Sequence, residues 1–118
     1  MRRLTWGALA LAATLVVAGC QASGTAASRP VETHQVAMAK SYRFDPPVMQ
    51  VPAGTTVTWR NDDHFTHNVR FLSGSTWRSA PLPPGASASF TFDQPGEYAY
   101  ECSFHPQQMK GRVIVVAR

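Results

Sequence analysis

The chain has 118 residues, 44% hydrophobic and 15% charged, with 11 basic against seven acidic side chains and a net charge of +4. That length allows one domain. The charge is weak and scattered, with no Lys/Arg run and no interleaving of basic with aromatic residues, which argues against a nucleic-acid partner.

Residues 1–19 read as a removable segment. Arg2 and Arg3 are followed by an apolar run from Leu4 to Val17, broken only by Thr and Gly. This run is short for a bilayer-spanning helix of roughly 20 residues. Small residues then precede a cysteine in Val17-Ala18-Gly19-Cys20. The segment resembles a bacterial lipoprotein signal peptide with its lipobox. The resemblance implies that Cys20 is diacylated on sulfur and becomes the new N-terminus. An ordinary secretory signal peptide and an uncleaved membrane anchor are the alternatives. From Cys20 onward, nine basic residues face seven acidic ones. Residues 20–33 are small, polar and aperiodic, and are expected to form a flexible tether.

Residues 34–118 form the expected folded domain, and its signals are all strand and turn. His34 to Lys40 alternates, with Val36 and Met38 on one face. Phe44-Asp45-Pro46-Pro47 is a turn that cannot continue a ladder. Val48 to Val51 is a short strand closed by Pro52-Ala53-Gly54. Thr55 to Asn61 places Val57 and Trp59 on one face. After the polar turn Asn61-Asp62-Asp63-His64, Thr66 to Phe71 is predicted as a strand with His67, Val69 and Phe71 inward. Leu72 to Ser87 is a long Gly-, Ser- and Pro-rich loop containing Trp77. Ala88, Phe90 and Phe92 mark the next buried face. Glu97 to Cys102 alternates Tyr98, Tyr100 and Cys102 inward against Glu97, Ala99 and Glu101 outward. Tyr98, after Pro95-Gly96, reads as a tyrosine corner. Arg112 to Ala117 is the final strand. Seven to eight strands without a convincing helix predict an all-β Greek-key sandwich. Val57, Trp59, Val69, Phe71, Phe90, Phe92, Tyr98, Val113 and Val115 are its expected core.

The chemistry concentrates between the last two strands. Cys102, His105 and Met109 offer a thiol, an imidazole and a thioether within eight residues. This soft set suits copper, which cycles between two oxidation states when held by thiolate and imidazoles with a weak thioether contact. A second imidazole is needed. His67 is the natural candidate because it starts an inward-facing strand next to a turn. His64 is its rival in that turn, and His34 lies at the domain edge. Cys20, if lipidated, leaves Cys102 unpaired; a Cys20–Cys102 disulfide is the bland alternative.

His67-Asn68-Val69 after GTTVTWRND, and CSFHPQQMKGRVIV after PGEYAYE, resemble the cupredoxins of the plastocyanin, amicyanin and pseudoazurin group. The resemblance spans about residues 34–118. It implies a cupredoxin-like sandwich holding one type 1 (blue) copper ion, with His67, Cys102, His105 and Met109 as ligands. It also implies that Asn68 braces the site through Ser103, the residue after the cysteine. The loop departs from the group in length: three residues separate His105 from Met109, where plastocyanin-like loops have four and amicyanin-like loops two.

The expected function is single-electron transfer by a monomeric, non-enzymatic protein lipid-anchored to the bacterial cell membrane outside the cytoplasm, or on its periplasmic face. Partners are expected to be transient redox proteins meeting an apolar ring around His105. Pro106 and Phe104, with Pro81, Leu82, Pro83 and Pro84 of the long loop, would form that ring. Copper handling, as a chaperone or store, is the alternative; it would be favoured by Met- or His-rich tracts, which are absent. An enzyme using Cys102 as nucleophile and His105 as base would need an oxyanion device, and none is visible. Zinc would be poorly served by the thioether.

Overall fold

The computed structural model describes Gly19 and residues 30–118. Apart from Gly19, the signal segment, with Cys20 and nearly all of the tether, lies outside the described residues. Among the described residues there is no helix, and none long and apolar enough to cross a membrane.

Nine strands form two sheets: β1 (Val31–Glu32), β2 (Gln35–Ala39), β3 (Arg43–Asp45), β4 (Val48–Pro52), β5 (Thr55–Asn61), β6 (Arg70–Phe71), β7 (Ser87–Phe92), β8 (Gly96–Glu101) and β9 (Lys110–Val116). One sheet has the order β1-β4-β9-β8-β6 and the other β3-β2-β5-β7. The chain crosses repeatedly between the sheets, so β2 lies parallel to β5 and β4 parallel to β9, whereas β8 and β9 are antiparallel. This is the expected all-β sandwich, with two short strands beyond those predicted: β1, of two residues, and β3, of three, which pairs Phe44 and Asp45 with β2 where a turn was expected.

Alternation explains the layers. In β5, Val57, Trp59 and Asn61 are buried while Thr56 and Arg60 are exposed. Outward, Thr56 and Thr58 pair through their hydroxyls with Thr91 and Ser89 of β7. Inward, Trp59 meets Tyr100 edge-on at 5.4 Å and Phe71 at 6.1 Å. Each large side chain buried this way stabilises the fold by about 1.5–3 kcal/mol. The expected core is buried, except that Phe90 on the edge strand β7 is only partly so. Phe44, Met49, Val51 and Tyr100 add to it. Tyr98 donates its hydroxyl to the Gln94 carbonyl at 2.7 Å, the anticipated corner.

Two expectations need correction. The strand predicted over 66–71 shrinks to Arg70–Phe71, and His67, Asn68 and Val69 are all buried. Period-two alternation fails there because the segment is flanked on both sides by protein. His67 bridges Leu82, and Arg70 bridges Arg78, both within the long loop. Glu101 faces away from Cys102 but is not solvated. It is 6% exposed and ion-paired with Arg70, its cross-strand partner.

Candidate metal centre

The first imidazole is held by the segment after β5. Asn61 ends that strand, buried, and its amide nitrogen donates to the carbonyls of Phe65 at 2.7 Å and Leu82 at 2.8 Å. Its side-chain oxygen accepts from the Asp63 N–H at 2.9 Å. One asparagine therefore sets the turn and ties it to the long loop. His67 and Leu82 then exchange both backbone bonds, at 3.1 and 2.7 Å. The Val69 N–H donates to the Ser79 hydroxyl. With its backbone N–H and carbonyl both paired, His67 can be fully buried, as it is.

The ring is oriented as well as buried. His67 Nε2 lies 2.9 Å from the Asp63 carboxylate. An N–H there donates to the carboxylate, which fixes the tautomer and leaves the Nδ1 lone pair free for a metal. This bond to His67 holds the Asp63 carboxyl below the usual carboxylate range, against the opposing pull of burial and with help from the His64 N–H. Sequence reasoning does not single out Asp63. Asp62 and Asp63 are adjacent in one polar turn, and only the fold shows that Asp62 is exposed and Asp63 buried.

The remaining donors come from the β8–β9 connection. Cys102, at the end of β8, is a fully buried free thiol. Its N–H donates to the Met109 carbonyl at 3.0 Å, closing the loop at its base. The His105 N–H donates to the Cys102 carbonyl, and the His105 carbonyl accepts from both Gln108 and Met109. The unusual three-residue gap is thus wound into a compact turn. It delivers Met109, fully buried, directly into β9.

These two segments place three donors together. Cys102 Sγ lies 3.7 Å from His67 Nδ1 and 3.8 Å from His105 Nδ1, and all three donor atoms lie within 4.8 Å of one another. A metal with bonds of about 2.0 Å to nitrogen and 2.3 Å to sulfur, at angles near 120°, requires N···S separations of about 3.7 Å. The spacing therefore fits a shared ion, and the thiolate, imidazole and thioether donor types suit copper. Asn68 bridges the two segments: its Nδ2 donates to the Ser103 hydroxyl and its Oδ1 accepts from the Ser103 N–H, both at 2.7 Å. His64 and His34 are exposed and outside this cluster.

The surroundings of His105 differ from the expected ring. Phe104, Pro106, Pro81, Pro83 and Pro84 are exposed, but Leu82 is buried, because the bridge to His67 draws it inward. Tyr42 and Phe65, neither anticipated for this role, approach instead. Tyr42 lies 4.5 Å from His105 between ring centroids and stacks on Phe65 at 5.7 Å. No spacing rule in the sequence connects the β2–β3 turn with this loop.

The sequence of residues 7–115 matches the Cupredoxin-like domain. The chain is similar to amicyanin-alpha of Methylorubrum extorquens, 36% identical over an alignment covering 98% of this chain and 99% of that protein. Among solved structures it is similar to a purple cupredoxin from Nitrosopumilus maritimus, with a TM-score of 0.65 and 31% identity over 71% of this chain and all of that one. It also resembles part of a copper-containing nitrite reductase from Thermus scotoductus. That match has a TM-score of 0.64 and 32% identity over 75% of this chain, but it covers 23% of the reductase.

Proposed function

The chain belongs to the cupredoxin-like family, whose members bind one type 1 copper, and from that premise we propose that it carries single electrons between redox proteins outside the cytoplasm. In this reading His67, Cys102 and His105 would be the strong ligands and Met109 would offer a weak thioether contact. The observation that carries it is the thiol flanked by two Nδ1 atoms at near-equal distances of 3.7 and 3.8 Å.

Copper supplies the one-electron couple. The chain supplies a pocket that need not rearrange when charge arrives. Asp63 orients one imidazole, Asn68 locks the cysteine loop to the His67 segment, and the Cys102–Met109 backbone bond fixes the loop's base. Outer hydrogen bonds of this kind hold ligand orientation and tune the metal. The half-buried His105, beside exposed Phe104 and Phe65, is the port for partners. Such redox encounters use small, weak interfaces. In this reading the protein is a monomeric carrier and not an enzyme; the carrier reading is supported by amicyanin-alpha, matched over 99% of its length, whereas the reductase is matched over 23% of its chain.

Loading with Cu(II) tests the centre. An intense visible thiolate-to-copper band is expected, and Cys102→Ser abolishes it. A band that survives the substitution removes Cys102 from the site. The anchor is a separate part of the proposal: Cys20 carries lipid and the residues between it and β1 hold the domain off the membrane. Cys20→Ser then moves the protein from the membrane fraction to the soluble one. Unchanged partitioning of that variant defeats the anchor while leaving the copper reading intact.

A further inference from the structure

The turn between β2 and β3 is only Lys40-Ser41-Tyr42, and two of its residues are strained. Ser41 has φ of 69° and Tyr42 φ of 56°. Consecutive left-handed residues are ordinarily supplied by Gly, Asn or Asp. A bulky aromatic in that region is a genuine outlier. Such conformations persist only where the surroundings over-determine them, and they cluster at functional sites.

What the strained turn delivers is the Tyr42 ring. It is half-buried and sits beside both imidazoles of the candidate centre, tilted against His105 at 4.5 Å and edge-on to His67 at 6.1 Å. The two imidazoles are themselves 5.2 Å apart. Phe65 in turn lies nearly parallel to Tyr42, at 5.7 Å and 18°, and is 54% exposed. Contacts thus run from His105 to Tyr42 and from Tyr42 to the exposed Phe65.

The two imidazoles need different help. His67 has Asp63 behind it and protein on all sides. His105 is half-buried, and among the described residues no side chain accepts from its Nε2. Its orientation is left to packing, and the closest ring packed on it is Tyr42.

We propose that Tyr42 is a positioning residue of the metal centre, whose ring, held in place by the strained β2–β3 turn, keeps His105 on the metal and covers that ligand from water. The inference rests on the copper reading above. It needs the ring and not the hydroxyl, so the conservative and the truncating substitutions must differ.

The test compares Tyr42→Phe, Tyr42→Leu and Tyr42→Ala in the full chain. Each is loaded with Cu(II), and two quantities are read: the visible and hyperfine spectra, and the rate of copper loss to a competing chelator. The apoprotein's thermal midpoint reports on the fold. Tyr42→Phe is expected to match the parent in spectrum and to release copper within about twofold of its rate. Tyr42→Ala is expected to shift the spectrum and release copper about tenfold faster. Tyr42→Leu keeps apolar bulk without an aromatic ring and should resemble the Ala variant; it also stands in if that variant does not fold. Parent-like spectra and release rates for Leu overturn the proposal, because Tyr42 is then only filler. Impairment of Tyr42→Phe equal to that of Tyr42→Ala overturns it too, since the hydroxyl and not the ring would then matter. A parent protein without the intense band overturns the copper reading itself, whereas a normal parent band with indifferent Leu and Ala variants removes Tyr42 alone.

Discussion

The two imidazoles of the centre are held in opposite ways. His67 sits in a segment stitched on every side: Asn61 sets the preceding turn, Leu82 pairs with its backbone, and Asp63 grips its ring. His105 sits on a short exposed turn, half-buried, stabilised by the turn's own backbone bonds and by the face of Tyr42. One candidate ligand is fixed by hydrogen bonds within protein. The other is fixed by packing at the rim. A site that must stay rigid yet pass charge to a partner needs both kinds, because total burial would lengthen the path and total exposure would let water reorganise around the metal.

The largest effects should come from deleting each ring. His67→Gly and His105→Gly should each cost copper affinity beyond the roughly 10–100-fold typical of losing an outer hydrogen-bond partner. Added imidazole should then restore the visible band in His105→Gly but not in His67→Gly, since only the former opening reaches solvent. Equal rescue of both would break the asymmetry. A smaller effect is expected at Asp63→Ala. It should weaken copper binding by about 10–100-fold and, by leaving a buried ring N–H unpaired, destabilise the apoprotein by about 1–3 kcal/mol. Unchanged affinity with lowered stability would restrict Asp63 to bracing the turn.

The smallest effect should be at Tyr100, a control distant in role from both rings. Its phenol is buried, and the Trp59 indole faces it without reaching hydrogen-bond geometry. Burial raises its pKa well above the ordinary value near 10, with Trp59 opposing. A raised folded pKa contributes stability that is complete below the unfolded value and is lost as pH climbs above about 10. Tyr100→Phe should therefore leave the spectrum and the neutral-pH stability nearly unchanged. It should also lose less stability than the parent between about pH 8 and about pH 11 in thermal unfolding. Equal alkaline losses would show that the phenol does not titrate on unfolding.

Much of the fold was legible in the sequence because the information was local. Thr55–Asn61 announces its strand by alternation and keeps those boundaries. The tyrosine corner follows from Pro95-Gly96 and Tyr98. The clustering of His67, Cys102 and His105 was legible because two of them share one loop and the third precedes a distinctive Asn. What could not be read depends on segments far apart in the chain. Glu101 alternates outward as expected, yet Arg70 from β6 covers it. Leu82 lies among exposed prolines, yet His67 pulls it inward. Asp63 and its neighbour Asp62 are chemically identical, and only the closure of the turn chooses between them. Tyr42 reaches His105 through a left-handed turn that a Ser-Tyr pair does not advertise.

The parallel pairing of β4 with β9 has a consequence in time. Val48 lies beside Arg112, and Met49 beside Val113, so the centre of one sheet stays open until the last strand of the chain docks. Met109 directly precedes that strand, and the Cys102–Met109 backbone bond lies immediately before its first residue. Sandwiches built on such distant pairings fold in roughly milliseconds to seconds. Until that strand docks, the Cys102–Met109 backbone bond that closes the loop's base has no fixed partner. An ion arriving early would meet an open loop, and one arriving late a closed one, so the topology couples loading to the docking of β9.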